Sequence, residues 1–347
     1  MEQKKYKVTI GIPVYNAERY ISNCLQSVFD QTIDDIELLL IDDKGNDNSM
    51  SVARQMIANN PNGGMARIVE HEKNMGVANA RNTIVREAKG KYLFFMDSDD
   101  YLAPNSIELL YNKAEETGAE TVWGSTLQVD SETGKESVFW SYPDLQLFGE
   151  DELINYEYEK EETRLLTVVW NILFHTEFLR EKKLVFEQNG TLDDTIFHYN
   201  LQPVISKAVL MSDFTYYYYI RPNSISNFQK RDKYDIKEAI TTLGAFHCIV
   251  NASNKVKQKP YYPLMCLRIM KWSFFKACGL LKHREQMNEP LSDNCIKELF
   301  RHPTTLKNIL RMDSYRWHNL AFYFLGTLPS KIMVMILCYI AKKKGIL

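Results

Sequence analysis

Three carboxylates, Asp97, Asp99 and Asp100, follow directly after the apolar run YLFFM at residues 92–96. Such a run predicts a buried β-strand, and alternation along it places Asp97 and Asp99 on one side, about 6 to 7 Å apart. Crowded carboxylates at the end of a buried strand cost free energy unless a cation lies among them. Their hard oxygen atoms suit Mg²⁺ or Mn²⁺ held together with substrate phosphates. The alternative is an Asp-rich turn that caps the next helix.

Two further polar clusters follow strand patterns nearer the N-terminus. Residues 8–14, VTIGIPV, precede Tyr15–Asn16, and residues 36–41, IELLLI, precede Asp42–Asp43. Apolar residues at helical spacing separate these runs, and alternating strands and helices predict βαβ units and a largely parallel sheet. Because ligands of such sheets bind beyond the carboxyl ends of the strands, we expect all three clusters to meet at one edge.

The rest of the chain changes character near residue 220. The middle section, about 104–220, contains a strand pattern at 120–124, a polar loop at 130–135 and four tyrosines at 216–219 that indicate an alternating strand. Its helical patterns lie at 106–117, 151–158 and 176–182. After residue 224 the pattern is of long, lysine-rich helices without strand candidates of note. These patterns predict an α/β fold with a helical C-terminal extension.

Four motifs, in order, resemble those of family 2 glycosyltransferases with the GT-A fold. They are VTIGIPVYN (8–16), IELLLIDD (36–43) with DNS close behind, NMGVANARN (74–82) and FFMDSDD (94–100). Weaker similarity in VWNILF (169–174), LDDTIF (192–197) and YYYIRPNSIS (217–226) is to bacterial enzymes that build capsule, exopolysaccharide or O-antigen. The resemblance implies a GT-A catalytic domain at 1–220, with a nucleotide-sugar-binding half at 1–103 and an acceptor half at 104–220.

The resemblance also implies how a donor would bind. Pro13 and Tyr15 would line the base pocket, Tyr15 by stacking, and Asp43 would accept a hydrogen bond from the base. Arg81 lies where family members contact the nucleotide. The family favours a UDP-sugar and transfer of a hexosyl or N-acetylhexosaminyl group, and leaves GDP and dTDP donors open.

The same resemblance divides the carboxylate cluster by role. Asp97 and the adjacent Ser98 would meet the ribose or the metal shell, and Asp99 would be the principal ligand of Mn²⁺ or Mg²⁺. For Asp100, a helper role at the metal and a cap of the following turn are both open.

The resemblance assigns the catalytic base to the second residue of an acidic pair, here Asp193–Asp194, although relatives more often have Glu in the first place. The implied reaction is an inverting displacement. A metal neutralises the departing nucleoside diphosphate while Asp194 takes the proton of the acceptor hydroxyl that attacks the anomeric carbon. Without the resemblance, two adjacent acids indicate a helix N-terminus.

Three more residues are candidates by resemblance. Trp170 and Asn171 match an aromatic and amide pair that borders the acceptor site, with core packing of the tryptophan as the alternative. Arg221 can close over the diphosphate, because a guanidinium matches phosphate oxygens. A solvated arginine at a strand end is the alternative for Arg221.

The net charge of −2 hides an asymmetry between the two parts of the chain. Residues 1–220 carry 20 Lys and Arg against 36 Asp and Glu, whereas residues 221–347 carry 22 against 8. Charge separation of this kind indicates a basic helical module, 221–347, that meets an anionic partner, or two halves that attract each other. The pattern favours a membrane surface over nucleic acid.

Two apolar stretches at 320–328 and 332–341, followed by Lys342–Lys344, end the chain. Each is too short to span a bilayer alone, so segment 318–347 is predicted to lie in the membrane interface or to pack as a buried helical pair. The six cysteines are scattered, which favours reduced thiols, and the N-terminus lacks the apolar core of a signal peptide. We therefore expect a cytoplasmic enzyme on the inner face of the membrane, with a lipid-linked glycan as acceptor.

Two other functions compete with the glycosyltransferase. A sugar nucleotidyltransferase shares the strand-end nucleotide site but is expected to carry a Gly-rich GxGxxR loop where this chain has PVYN. A non-catalytic GT-A subunit of a polysaccharide assembly complex would not need the acids at 97, 99 and 194.

Overall fold

The computed structural model describes residues 6–159, 164–188, 192–220 and 235–347. They form two compact units. The first unit comprises Met1–Leu153, Leu166–Gly190 and Val204–Pro222, and the second Ile154–Leu165, Thr191–Pro203 and Asn223–Leu347.

Two segments of the region predicted as the 1–220 catalytic domain thus belong to the second unit. Residues 154–165 and 191–203 join it because their apolar side chains, among them Ile154 and Ile196, pack into the core of the C-terminal helices. Sequence patterns along a chain show where elements begin and end, but not which core an isolated helix joins.

The first unit is built on one nine-stranded sheet. Its strands are β1 (Tyr6–Val14), β2 (Ile36–Asp42), β3 (Ala66–Glu70), β4 (Gly90–Phe95), β5 (Thr121–Asp130), β6 (Glu136–Trp140), β7 (Leu145–Phe148), β8 (Ile172–His175) and β9 (Lys207–Ile220). The order is β3-β2-β1-β4-β8-β5-β9-β7, with β6 beside β5. The first four strands pair in parallel, as do β5 and β9, whereas β6, β7 and β8 pair antiparallel. The predicted α/β class is confirmed.

Helices cover the sheet of this unit. They are α1 (Ile21–Phe29), α2 (Ser49–Asn59), α3 (Val77–Glu87), α4 (Ser106–Thr117) and α6 (Thr176–Glu181), and α5 (Glu152–Glu157) leads into the second unit. Every residue of β2 is buried, which explains why Leu38–Ile41 are apolar on both faces of the sheet without alternation. Helix α3 lies close against β1 because Gly11 has no side chain, and a Cβ there would come within 2.3 Å of Ile84.

The structure corrects one strand prediction and adds three short strands. Strand β4 ends at Phe95, so Asp97, Asp99 and Asp100 lie in a turn beyond it, and alternation along a strand does not govern their spacing. The short strands β6, β7 and β8 were not predicted from the sequence. Each has four or five residues, too few for a periodic signal to appear.

The second unit is helical throughout its described residues. Its helices are α7 (Asp193–Leu201), α8 (Ile236–Asn254), α9 (Tyr262–Lys282), α10 (Asp293–Glu298), α11 (Leu306–Leu310), α12 (Arg316–Thr327) and α13 (Ser330–Lys343). Helix α9 is the centre of the core, with Met265, Ile269 and Met270 at most 1% exposed.

The last two helices each have a buried and an exposed apolar side. In α13, Met333 and Leu337 lie in the core, whereas Met335 and Tyr339 are 72% and 68% exposed. In α12, Trp317 is 78% exposed. Among the residues that the structure describes, we find no helix with the length and apolar character needed to cross a bilayer.

A buried ion pair ties α5 to α9 within the second unit. The Glu157 carboxylate accepts hydrogen bonds from Arg268 Nη1, 2.7 Å from Oε1, and from the backbone N–H of Leu165. The Arg268 guanidinium also lies 4.7 Å from the centre of the Tyr158 ring. Glu157 is only 7% exposed, and this burial raises its pKa to about 7 against the attraction of Arg268.

We expect the stability of the protein to fall between pH 4.5 and pH 7 through Glu157. Because the pKa of Glu157 is higher in the folded state than in the unfolded state, its protonation stabilises the folded protein. This contribution to the free energy of unfolding is complete below about pH 4.5 and is lost as the pH rises through 7. The difference corresponds to about 3 kcal/mol, an upper figure for one group. Thermal melts from pH 5 to pH 8 check this. Glu157→Gln should flatten the slope, whereas the exposed Glu298→Gln should keep it; equal slopes in both variants would contradict the assignment.

Candidate active site

The register of the sheet confirms that the predicted strand ends converge. Val14 pairs with Asp42 at the end of β1 and β2, and Gly11 pairs with Phe95 of β4. The chain beyond these strands therefore leaves the sheet at one edge. This edge carries Tyr15, Asp43 and the turn that begins at Asp97.

The carboxylate turn brings three acids together. It closes with a hydrogen bond from the Asp100 N–H to the Asp97 carbonyl at 3.2 Å. Carboxylate oxygen atoms of Asp97, Asp99 and Asp100 lie within 4.8 Å of one another. Asp97, Ser98 and Asp99 are partly exposed, whereas Asp100 is 1% exposed. The accessible donors are hard carboxylate oxygens, so the residues present fit Mg²⁺ or Mn²⁺.

Asp100 anchors the turn to β9, a task that the sequence did not indicate. Its Oδ2 accepts a hydrogen bond from Tyr216 Oη at 2.7 Å, and its Oδ1 accepts one from the Tyr219 N–H at 2.8 Å. The Tyr216 hydroxyl in turn accepts the Asp97 N–H at 3.1 Å. Burial, followed by the charges of Asp99 and Asp97, raises the pKa of Asp100 well above its ordinary value. The repulsion within the turn is of the kind that a bound cation relieves.

Arg81 meets the cluster from helix α3. Its Nη2 lies 3.1 Å from Asp97 Oδ1, and its guanidinium carbon is 5.7 Å from the centre of the Phe186 ring. Arg81 is 5% exposed, so its position is well restrained. The pair holds Asp97 from one side and presents a fixed positive group beside the acids.

Asp43 lies buried beyond β2 and organises the loop before α3. Its Oδ1 accepts the Met75 N–H at 2.8 Å and contacts His71 Nδ1 at 2.7 Å, and its Oδ2 accepts the Gly76 N–H at 2.9 Å. Gly76 caps the N-terminus of α3 with φ +83°, a conformation that side chains disfavour. Among the residues that the structure describes, no second donor contacts Oδ2, and since a carboxylate oxygen has two acceptor sites, one remains there.

The two residues predicted to line the base pocket lie at the end of β1. Pro13 is half-buried within the strand, and Tyr15 is 47% exposed just beyond it. Asn16 follows with φ 51°, and its Oδ1 accepts the Asn46 N–H at 2.8 Å. Tyr15 follows Val14, whose carbonyl accepts the Asp43 N–H at 3.1 Å, so the tyrosine and Asp43 lie at neighbouring strand ends. Stacking of the Tyr15 ring on a base stays a prediction.

Trp170 and Asn171 lie in the interior of the first unit. The Trp170 ring stacks on Tyr216 and Tyr218 at 4.7 and 5.6 Å. The Asn171 amide donates to the carbonyls of Gly124 and Ser125 at 2.8 and 2.9 Å. The structure thus gives both residues a packing role; a contact with the acceptor stays a prediction.

Of the remaining candidates, two belong to the second unit and one falls outside the described residues. Asp193 and Asp194 are the first two residues of α7, in the second unit, with Asp193 3% exposed and Asp194 partly exposed. Acids favour the N-terminus of a helix through its dipole. Arg221 falls outside the described residues, and its predicted role stays a prediction.

Two residues that contact predicted site residues, His71 at Asp43 and Tyr216 at Asp100, were not predicted from the sequence. A signal for His71 was present, because it follows β3 as Tyr15 follows β1 and so reaches the same sheet edge. Tyr216 carried none, since its partner Asp100 is 116 residues away.

Sequence relatives of the chain are bacterial glycosyltransferases. The poly(ribitol-phosphate) beta-glucosyltransferase of Bacillus spizizenii is 29% identical over 220 residues, which is 62% of this chain and 32% of that protein. The glycosyltransferase EpsJ of Bacillus subtilis is 27% identical over 66% of this chain and 65% of its own length. The glycosyltransferase GlyG of Streptococcus pneumoniae is 28% identical over 69% of this chain and 78% of its own.

The fold has relatives among solved structures. Residues 1–349 of Staphylococcus aureus TarS, in complex with UDP-GlcNAc, superpose with a TM-score of 0.65 and 16% identity, over 92% of this chain and 90% of that one. This similarity identifies the fold as GT-A. The sequence model described as Glycosyl transferase family 2 matches residues 9–185, a span that includes the convergent strand ends, the carboxylate turn and Arg81. Since the match covers more than half of the chain, the protein belongs to glycosyltransferase family 2.

Proposed function

We propose that the protein is an inverting glycosyltransferase that moves a sugar from a UDP-sugar to a hydroxyl of a growing bacterial surface glycan. The observation that carries this proposal is the sheet edge itself. There the exposed ring of Tyr15 and the Asp43 carboxylate follow β1 and β2, and the carboxylate turn, with Arg81 bound to Asp97, follows the neighbouring strand β4. A nucleoside diphosphate needs these groups in this order, from base to diphosphate.

The base of the donor would bind at the Tyr15 end. Its ring would stack on Tyr15 against Pro13, and a ring N–H would donate to Asp43 Oδ2. TarS, which has the same fold, was solved with UDP and with UDP-GlcNAc, and this supports a uridine nucleotide as the donor.

The diphosphate would bind at the carboxylate turn. Asp99, with Asp97, would hold Mn²⁺ or Mg²⁺, and Ser98, between them in the sequence, would contact the donor. The ion, when bound, supplies positive charge that stabilises the departing nucleoside diphosphate. Arg81 keeps Asp97 oriented and adds a positive charge that does not depend on the metal. Arg221 is proposed to contact the diphosphate.

The acceptor would be activated by Asp194. Its carboxylate takes the proton of an acceptor hydroxyl, whose oxygen attacks the anomeric carbon as the bond to the diphosphate oxygen breaks, so the configuration inverts. Asp193 would position Asp194, and Trp170 and Asn171 would shape the acceptor side from within the first unit. The name of the Bacillus spizizenii relative specifies a beta product, and a β linkage formed from an α-linked sugar nucleotide is an inverted one.

The acceptor is proposed to be a lipid-linked glycan at the cytoplasmic leaflet, with the C-terminal helices on an anionic membrane surface. Exposed Trp317, Met335 and Tyr339 can enter the interface while Lys342–Lys344 meet anionic headgroups. The name of the Bacillus spizizenii relative specifies poly(ribitol-phosphate), which supports a polymer as acceptor, and capsule, exopolysaccharide and O-antigen are the product classes we propose.

Membrane attachment is tested by sedimentation with vesicles that contain anionic phospholipid. The double change Met335→Ser and Tyr339→Ser should lower the apparent affinity for the vesicles at least tenfold, because two exposed apolar side chains that would enter the interface are lost. The control is Val138→Ser, which also replaces an exposed apolar side chain by serine, but in β6. It should leave vesicle binding unchanged. Binding that survives both the double change and deletion of residues 318–347 would refute this surface.

The donor is identified by thermal shift. Purified protein is heated with UDP, GDP and dTDP sugars, each with Mn²⁺ and with EDTA. A ligand at a hundredfold excess over its Kd stabilises the folded state by about 2.7 kcal/mol, so the donor should raise the melting temperature by several degrees and only with metal. A protein that no nucleotide stabilises would contradict the donor site. Stabilisation without UDP release in the presence of acceptor would favour the non-catalytic subunit.

A further inference from the structure

We infer that His71 is a positioning residue that fixes the Asp43 carboxylate for a base with a ring N–H, and so sets which nucleotides the donor site accepts. This inference rests on the proposed function, because it takes Asp43 as the acceptor for the base. His71 is separate from the residues proposed to touch the donor or the metal.

His71 links three elements at the sheet edge. It directly follows β3, and its backbone N–H donates to the Asp42 carbonyl at the end of β2 at 3.0 Å. Its ring lies between Asp43, 2.7 Å from Nδ1, and Thr83 of α3, 3.0 Å from Nε2. The side chain is 11% exposed, so water competes little for either contact.

The partners of the ring decide where its hydrogen lies. An ionised carboxylate only accepts, so Nδ1 must donate to Asp43 Oδ1. In the neutral ring Nε2 then accepts the Thr83 hydroxyl hydrogen. That hydroxyl oxygen is in turn 3.4 Å from Arg86 Nη2. A chain of donors thus runs from Arg86 through Thr83 and His71 to Asp43, and each link orients the next.

The number of hydrogen-bond acceptor sites left on Asp43 explains how His71 would affect the choice of base. His71 and the Met75 N–H occupy Asp43 Oδ1, and the Gly76 N–H occupies one site of Oδ2. Within the described part of the chain no other donor contacts Asp43, so one acceptor site remains on Oδ2, in a direction set by the three donors. It suits the N3–H of uracil or thymine and opposes the unprotonated N3 of cytosine, which is itself an acceptor. Without His71, the carboxylate can rotate toward the other two donors and lose this direction.

The test compares UDP with CDP, two nucleotides that differ only on the base edge. Their dissociation constants are measured by calorimetry with Mn²⁺, for the wild-type protein and for His71→Leu, His71→Asn and Thr83→Val. We expect the wild type to prefer UDP at least tenfold, as a hydrogen bond to a charged group implies. His71→Leu should bind UDP about tenfold more weakly and CDP within about twofold of the wild type. His71→Asn, whose amide places a donor near Nδ1, should keep most of the preference.

The outcomes separate this inference from the proposed function. A wild-type protein that binds neither nucleotide overturns both. A wild type that prefers UDP, with the same preference in His71→Leu, overturns the role of His71 alone. Equal weakening of UDP and CDP in His71→Leu also overturns it, since that result indicates general loosening of the site. If His71→Leu does not fold in a thermal melt, Thr83→Val decides, because loss of its hydroxyl should lower the preference by a smaller factor.

Discussion

Asp99→Asn is expected to lower the rate of sugar transfer about 10³-fold. In the proposed mechanism Asp99 is the principal ligand of the metal, and the metal stabilises the leaving diphosphate by several kcal/mol; each 1.36 kcal/mol is a factor of ten in rate. The fold should tolerate the change. Asp99 is partly exposed, and its replacement removes repulsion toward Asp97 and Asp100.

The measurement is the rate of UDP release at saturating donor and acceptor, over a range of Mn²⁺ concentrations. Asp213→Asn is the matched control, since it removes one exposed carboxylate from β9 of the same unit. The variant at position 99 should lose both activity and metal-dependent thermal stabilisation by UDP. If it instead keeps the wild-type rate and metal dependence, Asp99 is not the metal ligand.

Asp194→Asn is expected to lower transfer by about 10² to 10⁴-fold and to leave the affinity for UDP within about twofold. An amide cannot accept the acceptor proton, and loss of a general base has effects of this size. Donor affinity should persist because Asp194 is not part of the base pocket or of the carboxylate turn. The two variants should therefore have different effects. The change at position 99 should weaken metal-dependent donor binding, whereas the change at position 194 should slow only the chemical step.

Glu298→Gln controls for the change of charge in the second unit, because Glu298 is an exposed residue at the end of α10. Calorimetry gives the UDP affinity, and UDP release gives the rate. Full activity of Asp194→Asn would remove it as the base. A joint loss of rate and of UDP affinity would reassign Asp194 to donor binding.

The convergence of the strand ends could be predicted from the sequence, because the signals for it are local. Strands β1 and β2 are apolar runs with polar ends, and parallel pairing brings their ends to one edge regardless of detail. The family motifs lie at these same positions. The position of Arg81 on α3, with its side chain turned toward the strand end, follows from the same βαβ geometry.

The contacts that stabilise this sheet edge could not be predicted from the sequence. Asp100 and Tyr216 lie 116 residues apart, and the bond between them depends on how β9 is placed in the sheet. Strand β4 ends at Phe95, one residue before the apolar run ends at Met96. A run of apolar residues does not show where a strand ends and a turn begins. Trp170 and Asn171 show a related limit: an aromatic and amide pair has the same letters whether it borders a sugar or, as here, packs inside the unit.

The charge asymmetry acquires a structural meaning. The basic C-terminal sequence forms a helical unit of its own, which also draws in residues 154–165 and 191–203, and with them Asp193 and Asp194. The candidate base and the candidate metal ligands therefore belong to different units. This agrees with the separate effects expected for Asp99 and Asp194.

The most direct test of the account is an NMR measurement of the transfer reaction. Wild-type protein is incubated with the UDP-sugar selected by thermal shift, Mn²⁺ and a glycan acceptor, and the anomeric proton signals are followed with time. We predict that the α-linked donor signal is replaced, mole for mole, by a β-linked product signal and free UDP, and that EDTA stops the reaction. An α-linked product would contradict inversion, and transfer that continues undiminished in EDTA would contradict the role assigned to the carboxylate turn.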